Sequence, residues 1–194
     1  MTQKRLRKLS AKPLRANSTL LSAAVAAIVF VQGADAFQKA GSATPPAGNA
    51  TGTLTVGSST FRLSYAYVFP EKQGYRIFVT NRALTASAVK LASSAGANED
   101  DRQQLVVELS ESKVHGLETI IGADKQVIRA NIYSPDSVLG MMLLAPTQFQ
   151  ATTFDAQRIA GKLFTQSPIQ DARIRKTVQY EATFSAPIHR PAVK

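Results

Sequence analysis

The chain has 194 residues, which is enough for one ordinary domain with flanking segments but too few for two large cores. Its apolar fraction of 44% and charged fraction of 19% exclude the composition of a disordered chain, so a packed core is expected. The absence of cysteine excludes disulfide bonds, thiolate-ligated metal and the lipid-attachment cysteine of a bacterial lipoprotein.

The net charge of +10 is unevenly distributed. Six of the 23 basic residues and one of the 13 acidic residues fall within the first 36 positions, which leaves 17 basic and 12 acidic residues from Phe37 onward. A remaining net charge of +5 favours anionic partners weakly through long-range attraction. It does not predict binding to nucleic acid.

The first 36 residues have the three parts of an export signal in the required order. A basic stretch, Lys4–Arg15, precedes 13 uncharged residues, Thr19–Val31, and an A-x-A cleavage site follows at Ala34 and Ala36. Because a membrane-spanning helix needs about 20 apolar residues, cleavage before Phe37 is predicted. An uncleaved single-span anchor is the alternative. The mature protein is expected in the periplasm or outside the cell, with no stable membrane span after processing.

The rest of the chain divides into three segments. Residues 37–50 are rich in Ala, Gly, Pro and Ser, which predicts a flexible linker. Residues 51–188 carry the alternating pattern of a β-rich domain, and residues 189–194 are expected to form a frayed tail.

The domain begins with alternation of apolar and polar residues, typical of half-buried strands. Thr53–Val56 and Phe61–Phe69 flank a short Gly-Ser-Ser turn and predict a hairpin, and Tyr75–Thr80 predicts a third strand. The ladder Phe61, Leu63, Tyr65, Tyr67 and Phe69 predicts one core face of this hairpin. A stacking platform for sugars or peptides is the weaker alternative.

The middle of the chain is predicted to contain one helix. Apolar residues at spacings of three and four favour a short helix within Leu84–Ala97, and an acidic loop, Gly96–Gln103, follows. Strands are then predicted at Leu105–Ser110, His115–Ile121 and Gln126–Tyr133, as a meander.

The C-terminal part is predicted to contain further strands. Val138–Leu144 is apolar throughout and fits either a buried strand or a helical turn, whereas Gln148–Phe154 and Arg158–Thr165 predict a pair of strands. The last predicted strand is Arg173–Phe184, and a dry face is predicted for its apolar residues Ile174, Val178, Tyr180, Ala182 and Phe184. Eight or nine one-sided strands with one short helix predict an all-β fold, mainly an antiparallel sandwich or small barrel.

Few residues suggest catalysis. His115 and His189 are the only histidines, and their spacing matches no zinc site or hydrolase motif, so no catalytic residue, metal or cofactor is predicted. A calcium-binding loop has its ligand residues in alternating positions, and the acidic run Glu99, Asp100 and Asp101 lacks this order. A solvated loop is the preferred interpretation. Glu108 and Glu118 on neighbouring predicted strands leave open a glycosidase pair.

Two other features suggest binding. Arg173 and Arg175 share one face of the last predicted strand and could contact phosphate or carboxylate groups of the cell envelope, although an exposed, charged strand is the simpler interpretation. Met141, Met142 and the leucines beside them could line an apolar cavity in a barrel.

The stretches GTLTVGSSTFRLSYAYVFPE, YRIFVTNRAL and YEATFSAPI, within Gly52–Leu84 and Tyr180–Ile188, resemble a family of uncharacterised bacterial exported β-rich proteins. The resemblance implies a secreted β-domain and brings no catalytic residues. The sequence therefore favours an exported, non-enzymatic binding or structural module of the cell envelope. A hydrolase acting on envelope polymers and a carrier with an apolar cavity are the alternatives.

Overall fold

The computed structural model describes residues 46–95, 98–135, 142–143, 147–171 and 175–190, without the side chains of 142–143. The predicted leader, the cleavage site, Met141 and Arg173 lie outside these residues. The strands are β1 (Gly48–Val56), β2 (Ser59–Glu71), β3 (Gly74–Thr80), β4 (Gly116–Gly122), β5 (Val127–Tyr133), β6 (Met142–Leu143), β7 (Thr147–Phe154), β8 (Arg158–Thr165), β9 (Ile169–Asp171) and β10 (Lys176–Pro187). The helices are α1 (Ala86–Ser94) and α2 (Glu99–Glu111).

The strands form one half-barrel sheet in the order β6-β5-β4-β3-β2-β1-β10-β8-β7, with β9 paired to β10. Every pair of neighbouring strands is antiparallel. The mainly β, antiparallel prediction is confirmed, but the strands belong to one curved sheet rather than to the two sheets of a sandwich. The sheet curves so that β7, at one edge, approaches β3 and β5. There the Phe154 ring packs edge-on against the Tyr75 ring, with 5.5 Å between the ring centroids.

The concave side of the sheet is filled by side chains from most of its strands. These residues form the inner core, which includes Leu54, Ile77, Leu117, Ile159 and Val178, each at most 1% exposed. Antiparallel strands alternate their side chains between two faces, so each strand contributes every second residue. The predicted alternation of the last strand is confirmed over β10, where even-numbered residues from Val178 are buried and odd-numbered ones are mostly exposed.

The convex side of the sheet is divided into a covered half and an open half. Tyr67, Phe69, Phe78 and Tyr133 pack with the two helices and form the outer core. Over β1 and β10, the convex side is exposed, and its side chains are polar. The helices therefore cover the β2–β5 half and leave the other half accessible.

The aromatic ladder of β2 does not form one core face as predicted. Phe61 and Leu63 contact the inner core, whereas Tyr65, Tyr67 and Phe69 contact the outer core. The pairing of β1 with β2 shifts register opposite this part of the strand, and the face presented by alternate residues changes there. The prediction is wrong because the strand changes faces between Leu63 and Tyr65, so that the ladder is divided between the two cores.

The predicted strand Leu105–Ser110 is wrong, and so is the acidic loop over Glu99–Gln103, because both belong to α2. Gly96 and Ala97, the start of the predicted loop, lie outside the described residues. The Asn98 side chain accepts a hydrogen bond from the Asp100 N–H at 3.0 Å and caps the helix, and three acidic residues in its first turn favour the positive end of its dipole. Leu105 and Leu109 are buried four residues apart, while Val107 is 56% exposed. The predicted first helix is confirmed as α1. Neither helix is long and apolar enough to cross a membrane.

The first and last strands in the chain have different bounds from those predicted. Strand β1 begins at Gly48, before the predicted Thr53. At the other end, Ile188 continues beside β2, and the His189 N–H donates to the Val68 carbonyl at 2.8 Å. His189 is half-buried against aromatic rings of β2 and does not belong to a frayed tail.

Candidate binding surface

The open half of the convex side carries a groove of about 620 Å³ between β1 and β10. Exposed or half-exposed hydroxyl, amide and carboxylate side chains dominate its lining. The lining residues are Thr51, Gly52, Thr53, Thr55, Gln179, Tyr180, Glu181 and Thr183. We call this region, together with the neighbouring side chains on the same side of β2 and β8, the open face.

The pairing of β1 with β10 assembles the groove. Thr51, Thr53 and Thr55 occupy every second position of β1, and Thr53 lies directly opposite Glu181 while Thr51 lies opposite Thr183. Since directly paired residues project to the same side of a sheet, their polar groups form rows across the strands. Threonine also suits extended backbone, so the strand tolerates this density of hydroxyls.

Gly52 allows the two strands to approach closely at the centre of the groove. A Cβ atom at this position would lie 2.1 Å from the Glu181 carbonyl oxygen and 2.5 Å from the Ala182 Cα, distances that no side chain can occupy. The close approach of backbone to backbone therefore requires glycine here.

The charged side chains of the open face are placed differently on its two sides. On the β8 side, the Lys162 ammonium lies 2.8 Å from a Glu181 carboxylate oxygen and 5.2 Å from the centre of the Phe164 ring. On the β2 side, exposed Arg62 lies opposite Thr53. The hydroxyls between them both donate and accept hydrogen bonds, so this surface can bind ligands that carry hydroxyl groups.

A second polar cluster is buried under the helix-covered half. Arg76 is 1% exposed and donates to Glu71 through Nε at 3.0 Å and Nη2 at 2.5 Å. Glu118, also 1% exposed, accepts from Asn131 at 2.6 Å and from the Tyr133 hydroxyl at 2.8 Å. Arg76 Nη1 lies 3.4 Å from the other Glu118 oxygen. These contacts connect β2, β3, β4 and β5.

Burial raises the pKa of Tyr133 well above its ordinary value, and the negative charge of Glu118 raises it further. The hydroxyl therefore stays protonated and donates to that carboxylate. We assign this network to the stability of the sheet, because Arg76 and Glu118 are enclosed and compensate each other's charge. Sequence reasoning missed it, since Arg76 occupies a polar position in an alternating strand and looked solvent-exposed.

His115 is the residue immediately before β4. Its ring stacks on the Phe61 ring, with the two ring centroids 3.6 Å apart. Its Nδ1 is 3.2 Å from the Ser134 hydroxyl, a pairing reminiscent of a nucleophile and base. Ser134 is only 2% exposed, however, and Asn81 ties the His115 backbone to the end of β3 through bonds of 2.8 and 2.9 Å. The pair is built into the end of the sheet rather than presented to a substrate.

The two glutamates predicted as neighbours on adjacent strands lie on different kinds of element. Glu108 is on α2 and accepts from the Thr85 hydroxyl at 2.6 Å, whereas Glu118 is buried in β4. The basis for a glycosidase pair is therefore wrong. Glu99 in the first turn of α2 pairs with Arg102 at 3.0 Å. Within the described parts of the chain, no group of three acidic, histidine or cysteine residues is placed to hold a metal ion.

Arg173 and Arg175 are the predicted anion contacts. Arg173 lies outside the described residues, so the structure gives a position for Arg175 alone. Arg175 is exposed and has a positive φ of 52°, in a turn just before β10. It does not lie within the last strand as predicted. Its left-handed backbone conformation is not that of extended strand, so the side chain is not part of a strand row.

Comparison of the chain with family models, with curated proteins and with solved structures gives no match.

Proposed function

We propose that this chain is an exported, non-enzymatic binding module that holds a hydroxyl-rich glycan of the cell envelope on the open face of its half-barrel. The observation that carries the proposal is the groove between β1 and β10, which three threonines of β1 and the outward-facing Gln179, Glu181 and Thr183 of β10 line. The groove lies on a broad sheet surface, which suits a segment of a polymer better than an enclosed small molecule.

The chemistry of the groove supports a glycan. A sugar hydroxyl both donates and accepts hydrogen bonds, and a threonine hydroxyl is complementary to it in both roles. The Gln179 amide adds donors and an acceptor to the lining, and the half-exposed Phe164 ring adds an apolar surface beside Glu181. Hydroxyls held on strands are oriented before the ligand arrives, which reduces the entropy lost on binding.

Export is supported by the order of basic, apolar and small residues in the first 36 positions. The proposed location is the periplasm or the outside of a bacterial cell. N-terminal sequencing of the protein from its native host should give Phe37 as the first residue, and Ala36→Leu should leave the full-length chain. A native N-terminus upstream of the apolar stretch would contradict cleavage.

The binding proposal is tested by co-sedimentation of the purified domain with insoluble cell-wall glycan. The triple variant Thr51→Val, Thr53→Val and Thr183→Val removes three hydroxyls but keeps β-branched side chains, so the sheet should be preserved. We expect its affinity to fall at least tenfold, since each lost hydrogen bond contributes about 0.5–1.5 kcal/mol. The matched control is Thr152→Val, an exposed threonine on β7 that does not line the groove.

Two results would refute this function. One is failure of the wild-type domain to bind any glycan preparation at micromolar concentrations. The other is an unchanged affinity of the triple variant when circular dichroism shows that its fold is intact. Binding of a second copy of the domain to the same face would appear as dimerisation in analytical ultracentrifugation and would also contradict the proposal.

A further inference from the structure

Arg62 provides a charge beside the groove that none of the groove threonines can supply. It lies on β2, directly opposite Thr53, and its side chain is exposed. On the basis of the function proposed above, we infer that Arg62 binds a carboxylate of the ligand and that the open face selects acidic glycans over neutral ones.

The strand register places Arg62 in one row with the groove. Thr53 pairs with Arg62 across β1–β2 and with Glu181 across β1–β10. Because neighbouring strands are about 4.8 Å apart, Arg62 lies one strand from the groove threonine and about 10 Å, by backbone spacing, from Glu181. A carboxylate bound by Arg62 therefore lies next to hydroxyls that bind the rest of the same sugar.

The two charges that lie beside the groove towards β8, Lys162 and Glu181, already pair with each other. Lys162 contacts the Glu181 carboxylate at 2.8 Å and lies over the Phe164 ring, so its charge is largely satisfied. Among the described residues, Arg62 has no ion pair or hydrogen-bonded side-chain partner. Arg62 is thus a cation directly beside the groove that is available to a ligand, and the repulsion of an anion by Glu181 is reduced by Lys162 and by salt screening.

The guanidinium group suits a carboxylate in particular. Its planar N–H groups can donate two parallel hydrogen bonds to the two oxygens, whereas an ammonium group acts as a point charge. Selectivity should therefore depend on the shape of the side chain as well as on its charge.

The inference is tested by isothermal titration with a uronic-acid oligosaccharide and with its carboxyl-reduced, neutral counterpart. We expect the wild-type domain to bind the acidic form about tenfold more tightly, the effect of one charge-assisted forked contact. Arg62→Gln should abolish this preference, so that the variant binds the acidic and the neutral form with equal affinity. Arg62→Lys should retain part of the preference.

Lys72→Gln is the matched control, since it removes an exposed positive charge from the β2–β3 turn, away from the groove. Equal effects of Lys72→Gln and Arg62→Gln would show attraction by net charge alone and would overturn the inference. So would equal affinities of the wild-type domain for the two oligosaccharides, while the proposed glycan binding stood. Failure to bind either oligosaccharide, or cell-wall glycan, would overturn both.

Discussion

Substitution of Glu118 by glutamine should lower the free energy of unfolding by about 2–4 kcal/mol, the range expected for disrupting a buried, hydrogen-bonded charge. Glutamine preserves the volume of the side chain and one acceptor oxygen, so no cavity is created. It removes the negative charge that accepts from Asn131 and Tyr133 and that faces Arg76. The variant therefore isolates the electrostatic contribution of this carboxylate.

The magnitude follows from the contacts of Glu118. Hydrogen bonds to charged groups contribute about 1.5–3 kcal/mol and neutral ones about 0.5–1.5 kcal/mol, so neutralising an acceptor of two bonds costs about 2 kcal/mol. Arg76 also loses one of its two carboxylate neighbours, while its bonds of 2.5 and 3.0 Å to Glu71 remain. The retained partner keeps the total below the cost of an isolated buried arginine.

Urea denaturation followed by circular dichroism measures this effect, and Glu181→Gln is the matched control. Glu181 is 65% exposed and pairs with Lys162, so its neutralisation should cost no more than about 1 kcal/mol. In thermal unfolding, Glu118→Gln should lower Tm by about 5–12 °C for a domain of this size. If the two variants unfold within about 0.5 kcal/mol of each other, the stabilising role assigned to the buried network is wrong.

Three further predictions concern the core and the ionisable side chains. Leu105→Ala should cost about 2–4 kcal/mol in urea denaturation and Val107→Ala less than about 1 kcal/mol; equal losses would contradict a helix that buries only the first. Burial raises the pKa of Tyr180 to about 12, and its hydroxyl bonds to Thr147. Because the unfolded tyrosine ionises at lower pH, stability should fall as pH rises from about 10 towards 12, and Tyr180→Phe should lessen that fall; an unchanged slope would refute the assignment. Burial lowers the pKa of His189, so stability should decrease as pH falls below about 6.5, and His189→Gln should flatten this decrease in denaturation curves at pH 7.5 and 5; parallel losses in both proteins would contradict it.

Part of the candidate binding surface could be read from local patterns. The hydroxyls of Thr51, Thr53 and Thr55 recur at every second position, and Thr183 follows the same rule in the last strand. The register that brings these two strands together could not be read, because they are far apart in sequence and pair only in the folded sheet. The same holds for Arg62. Its exposure follows from the alternation of side chains along β2, but its position beside the groove follows from the pairing of β2 with β1.

Local periodicity determined which residues of the C-terminal strand face the core, since successive side chains of extended backbone point to opposite faces whatever lies around them. It could not decide between helix and strand at Leu105 and Leu109, because a spacing of four satisfies both periods. Nor could it show that β2 changes faces between Leu63 and Tyr67, or that Arg76 is enclosed with Glu118. Those outcomes depend on what covers each side of the sheet, and packing between distant segments alone decides that.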